Sequence, residues 1–212
     1  MSGVTITSGV GISGGIKFVA SPTTTVPLGF SSSLFSISSQ TLQNVWEQHT
    51  IDISSYASAT VRVVFWYLRG TSFTGDIQID DIYINGTTYT FESGVENFIR
   101  NSVALSPGTS HTTYPSTMTT TALTTATTNN FFNRDAAGTP SSGTSSTIDH
   151  TLGTTAGFYV YAETSSGLTG TPFFLATPSI TLSGSPGNMT FWTSRYGATI
   201  GTLQVYVYVE SV

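Results

Sequence analysis

Two carboxylates near an Asn-Gly turn are the residues whose type and spacing first suggest chemistry. In "GDIQIDDIYINGTTYTFESG", residues 75–94, Asn85-Gly86 joins two alternating stretches. That dipeptide is the strongest short hairpin signal, because a type I′ turn needs positive φ at both central positions. A two-residue loop pairs Ile84 with Thr87, Asp81 with Thr90 and Ile79 with Glu92. Asp81 and Glu92 then become diagonal neighbours on one face, about 5–8 Å apart. Carboxylates that close repel unless a hard cation or an arginine lies between them, and calcium accepts such oxygen ligands with loose geometry. The plainer alternative is that Asp80 and Asp81 solvate a strand end while Glu92 pairs with Arg100 or Arg134.

Catalytic patterns are weaker. His49, His111 and His150 are separated by strands and loops, and neither a G-x-S-x-G elbow nor an H-E-x-x-H pair occurs. "GVGISG" at 9–14 satisfies G-x-G-x-x-G but lacks the flanking strand, helix and downstream acid of a dinucleotide site. The reading is a protein without catalysis.

The elements that must position these groups are strands. Only 8% of the 212 residues are charged, while 38% are hydrophobic and 12% aromatic, a balance that calls for a packed core. No segment has convincing helical periodicity; "VENFIRNSVALS" comes nearest. "VWEQHTIDIS", "ATVRVVFWYLRG", "GFYVYAETS", "PFFLATPSITLS", "NMTFWTSRYG" and "GTLQVYVYVESV" all read as strands. Apolar residues fill both faces around Val63 to Phe65, which predicts a central, covered strand. Trp66 and Trp192 are expected in the core. Tyr206 and Tyr208 share a face and are candidates for an interface or a glycan platform. Residues 1–33 read as an extended β-prone arm able to add to a neighbour's sheet edge. Residues 104–130 read as a Thr-rich surface excursion.

The net charge is −5 with Lys17 the single lysine, so no basic surface invites nucleic acid. Cysteine is absent, which excludes disulfides and thiolate metal sites. The first residues do not read as a secretory signal, and nothing has the length of a membrane span. These features set the expectation of a virion protein made in a host cytoplasm, or else of a cell-surface protein.

Several motifs together resemble the MAM domain family, found in meprins, neuropilins and receptor tyrosine phosphatases. "TPS" at 139–141, "DHT" at 149–151 and Gly-x-Tyr-x-Tyr-x-Glu at 157–163 are similar to the family's first half. "LATPSI" and "FWTSRYGATIGTLQVYV" continue that likeness. "VWEQHTIDISSY" and "VRVVFWYLRGTSFTGDIQIDDI" resemble the family's second half, yet stand earlier in this chain. The resemblance implies an antiparallel jelly-roll β-sandwich over 34–212, with 34–91 matching the C-terminal half and 92–212 the N-terminal half. The halves are either permuted within one chain or swapped between chains.

The resemblance also implies a structural calcium or sodium, with Asp80, Asp81, Glu92 and Asp149 as the matching acidic positions. The function expected is that of a virion surface component, capsid decoration or tail fibre, whose partners are its own copies and other virion proteins. A cell-surface adhesin or carbohydrate-binding module is the alternative. The SGV and SGG repeats of the arm are similar to N-termini of tailed-phage structural proteins.

Overall fold

The computed structural model describes residues 15–16, 29–102, 118–119, 121–125, 127 and 129–211. Among the described residues sixteen strands follow in chain order. They are β1 (Gly15–Ile16), β2 (Gly29–Phe30), β3 (Phe35–Ile37), β4 (Glu47–Asp52), β5 (Thr60–Leu68), β6 (Ile77–Ile84), β7 (Thr87–Tyr89) and β8 (Ile99–Ser102). After these come β9 (Met118–Thr119), β10 (Thr121–Ala122), β11 (Phe132–Ala136), β12 (Phe158–Ala162), β13 (Pro172–Ala176), β14 (Ile180–Thr181), β15 (Asn188–Ser194) and β16 (Thr202–Ser211). Among the described residues the helical content is one 3₁₀ turn, Ser54–Tyr56.

The described strands make two large antiparallel sheets and a two-stranded ribbon, β1-β9. The larger runs β10-β8-β13-β5-β16-β2, with β14 beside β5 and β3 beside β16. The smaller runs β11-β12-β6-β15-β4, with β7 beside β6. In both sheets a strand from 34–91 lies between strands from 92–212, β5 between β13 and β16 and β6 between β12 and β15, so each half supplies ladder partners to the other. The all-β sandwich expected from the strand pattern is the observed architecture.

Period-two patterning builds the core. Val61, Val63, Phe65 and Tyr67 point from β5 into the space between the sheets. They pack there with Ile77, Ile79, Ile82 and Ile84 of β6 and with Phe191 of β15. β5 is central as expected, paired to β13 on one side and β16 on the other. Its alternate residues, Val64 and Trp66, form a second buried cluster on the outer face with Phe174, Ala176 and Tyr206.

Tyr67 pins the sandwich at one end. Its hydroxyl donates to the Gly75 carbonyl at 2.5 Å and accepts the Gly201 N–H at 2.6 Å. Burial pushes its pKa well up, so the neutral donor form is the one held.

Only the middle of the Asn85-Gly86 hairpin follows the expected register. Ile84 pairs with Thr87, Tyr83 with Thr88 and Ile82 with Tyr89. The ladder then ends, which corrects the Asp81–Thr90 and Ile79–Glu92 pairings. Asp81 has φ +45° and lies in a bulge where β6 has one extra residue opposite β15. Ile79 pairs instead with Val160 and Thr193. The bulge re-aims the side chain of Asp81, and β12 takes the place that an extended β7 would have held.

Pieces of the arm and of the Thr-rich excursion are described, and they pair within the chain. β1 pairs with β9, and β2 adds to the edge of β16. The remainder of both segments, including His111, lies outside the described residues.

Candidate functional site

The bulge in β6 faces the loop that carries "DHT". Asp80 is fully buried, which corrects the view that it solvates a strand end. Its Oδ2 accepts the His150 N–H at 2.9 Å and the Thr151 N–H at 3.3 Å, and its Oδ1 accepts the Asp81 N–H at 2.8 Å. Burial pushes its pKa up to about 8, against the pull of these N–H donors and together with the neighbouring Asp81 charge.

Asp81 turns to the same loop. His150 Nδ1 meets its Oδ2 at 2.5 Å, and the Thr151 hydroxyl donates to its Oδ1 at 2.7 Å. The His150 ring stacks on Trp192, with centroids 3.8 Å apart and planes 19° from parallel. Trp192 is therefore partly a platform for histidine, where the sequence had suggested core alone.

Asp149 closes its own turn. It accepts the Leu152 N–H at 2.6 Å and the Thr154 N–H at 2.9 Å. Gly157 packs directly against it, so a Cβ there would lie 2.1 Å from the Asp149 carboxyl carbon. Glu92 is used differently again: its Oε1 accepts the Phe158 N–H at 2.8 Å. Arg134 reaches the Glu92 residue through the backbone carbonyl at 3.1 Å, not through the carboxylate, and its guanidinium lies 3.5 Å over the Phe158 ring.

The four predicted acids therefore lie along one seam but do not converge on one point. Their oxygens accept N–H, O–H and imidazole contacts. Among the described residues no group of three or more His, Cys, Asp or Glu is placed to share a metal.

A different pair lies where the chain enters β6 and leaves β12. Asp76 is fully buried and Glu163 is 1% exposed. Asp76 Oδ1 accepts the Thr164 N–H at 2.9 Å and its hydroxyl at 2.8 Å, and Oδ2 accepts the Thr139 hydroxyl at 2.6 Å. Glu163 Oε1 accepts the Ser165 N–H at 2.9 Å and its hydroxyl at 2.5 Å. Glu163 Oε2 is buried without a hydrogen-bond partner. Burial, and after it the Glu163 charge, pushes the Asp76 pKa up to about 6. Sequence reasoning passed over both residues, although each stands inside a motif quoted for the resemblance. Nothing in a one-dimensional pattern says that residues so far apart share a pocket.

Tyr206 and Tyr208 do lie on one face, but Tyr206 is only 6% exposed and Tyr208 packs against the same apolar cluster. The Tyr206 hydroxyl donates to Gln204 Oε1 at 3.0 Å. The other described histidine, His49, packs on Phe35 and Phe191 and lies 3.2 Å from Arg195. Burial, with Arg195 assisting, lowers its pKa to about 4.

No solved structure matches the chain. The MAM domain is an adhesion-type domain of extracellular and cell-surface proteins, and such domains are typically not catalytic. The C-terminal part of this chain, residues 123–212, matches the family model of the MAM domain, meprin/A5/mu.

Proposed function

We propose that this chain is a non-catalytic, adhesion-type module of an exterior surface, acting through contacts with copies of itself and with neighbouring proteins. The observation that carries the reading is the match of residues 123–212 to an adhesion domain family. The state of the described histidines supports it. His49 is half-buried and neutral among aromatic rings, and His150 is stacked and tied to Asp81, so each has a structural task. His49 Nε2 lies 2.8 Å from the Thr193 hydroxyl, but Thr193 is fully buried and also accepts from Arg195, so that hydroxyl is not presented to a substrate.

Within this reading we place the module on a virion surface. The support is the absence of cysteine, since a sandwich stabilised by core and ladder alone folds equally well in a reducing compartment. We also hold that the family's two halves stand in exchanged order and complete each other inside one chain. The insertion of β5 between β13 and β16, and of β6 between β12 and β15, supports that order.

The test is solution mass by light scattering for the full chain and for a chain lacking residues 1–33. A stable symmetric oligomer that dissociates on removal of the arm supports assembly through the arm. An oligomer that survives removal supports assembly through the sandwich. A monomer in both, with no binding to virion or cell-surface preparations, overturns the reading.

A further inference from the structure

We infer that Asp76 and Glu163 form a calcium site, at the junction where the chain enters β6 and leaves β12. The first observation is charge. Two carboxylates are buried beside each other, and the ion pairs among the described residues lie elsewhere: Arg62–Glu210, His150–Asp81 and Arg195–Glu47. Arg69, whose positive charge acts on Asp76, donates to two carbonyls. Its Nε donates to Thr164 O at 2.9 Å and its Nη1 to Gly70 O at 3.0 Å.

The second observation is independent of charge. Glu163 Oε2 is a buried acceptor without a donor. Such an atom forfeits its hydration with nothing in return, a cost that native folds avoid by supplying a partner. Among the described residues no hydrogen-bond donor reaches it, whereas a cation supplies what the oxygen lacks.

Neutral oxygens surround the pair. The Thr139 and Thr164 hydroxyls both reach Asp76, and the Thr164 hydroxyl also lies 3.1 Å from the Phe73 carbonyl. Two carboxylates with hydroxyl and carbonyl oxygens make a hard, all-oxygen donor set. Calcium takes six to eight such ligands without strict geometry, and water can complete the shell. Magnesium, which demands a near-ideal octahedron and dehydrates reluctantly, suits this set less. A double negative charge favours a divalent ion over sodium.

The site differs from the seam of Asp80, Asp81, Glu92 and Asp149 in having an unclaimed buried oxygen. It joins the 70–76 loop, the 139 turn and the end of β12, so a bound ion would tie three separate chain segments together.

The experiment uses the full chain and needs no assembly, so it can fail without touching the functional reading above. Calcium is titrated after chelation, with heat of binding and thermal midpoint as readouts, and terbium emission sensitised by the buried tyrosines reports occupancy. The expected result is one calcium per chain and a raised midpoint, with magnesium and sodium much weaker. Glu163→Gln keeps the acceptor for Ser165 and folds, but lowers calcium affinity roughly 10- to 100-fold. Glu92→Gln, with its carboxylate on the other seam, leaves affinity unchanged. Absence of binding in the intact chain overturns the inference. So does a preference for sodium, or a calcium response that survives in Glu163→Gln.

Discussion

Two acidic corners of the same sandwich handle buried charge in opposite ways. At the β6 bulge, Asp80 gathers three backbone N–H groups and Asp81 holds the His150 ring and the Thr151 hydroxyl. At the junction of β6 and β12, Asp76 is satisfied by threonines, while its neighbour Glu163 keeps one oxygen without a donor. The first corner is closed by the chain itself, and its acids act as glue between β6 and the 149–154 turn. The second is left one donor short. The lesson is that acid content alone does not mark a cation site; what matters is which lone pairs the backbone has already claimed.

The largest effect should come from breaking the closed corner. Asp80→Ala removes the acceptor of three backbone N–H groups and leaves buried donors without a partner, each costing about 1–3 kcal/mol. We expect a loss of about 3 kcal/mol or more in urea unfolding, the same with calcium as with chelator. A loss present only with calcium would mean that this corner is the ion site, and would reverse the comparison.

Glu163→Gln sharpens the other side. In chelator its stability should stay within about 1 kcal/mol of the parent, because the unpartnered oxygen is replaced and the Ser165 bonds persist. With calcium at a hundredfold excess over its Kd, the parent gains about 2.7 kcal/mol and the variant does not. His150→Ala should cost less than Asp80→Ala, about 1–2 kcal/mol, since it removes a stack and one hydrogen bond from a partly exposed side chain. Loss of the stack should also shift the fluorescence of Trp192, whose ring His150 covers.

Much of the sandwich could be read from the chain, and the reason is local. The alternation in "TVRVVFWYL" directly encodes a two-faced strand, and Asn85-Gly86 encodes its own turn. The register beyond Tyr89 could not be read, because it depends on a bulge at Asp81 set by the "DHT" loop from a distant part of the sequence. The candidate site was hidden for the same reason. Asp80 and Asp81 draw attention as adjacent acids, but their lone pairs are claimed by residues 150 and 151. Asp76 and Glu163 are single letters just outside the ends of separate strands, and only the β6–β12 pairing brings them together. Gly157 lies between these cases. It is visible in a motif, yet its reason is tertiary: the Asp149 carboxyl occupies the space a Cβ would need.

The finest test sets protons against calcium. A buried acid whose folded pKa lies above its unfolded value of about 3.9 holds a proton that the unfolded chain has released. Its contribution to stability is whole below about pH 4 and is lost as pH rises through the folded value. For Asp76 that window closes near pH 6, and for Asp80 near pH 8. In chelator, both acids should therefore make the fold less stable as pH rises through these windows. Calcium reverses the sign for Asp76 alone, because the ion binds the ionised form and must displace the proton. At pH 5 about nine-tenths of Asp76 carries that proton, so calcium affinity should be about tenfold weaker than at pH 7.5, or about 1.4 kcal/mol. Carboxyl carbon resonances read this directly. The Asp76 signal should titrate near pH 6 in chelator and fall well below that with calcium, while the Asp80 signal keeps its midpoint in both. Movement of Asp80 with calcium, or constancy of Asp76, would mean that the two corners differ in hydrogen bonding but not in their use of metal.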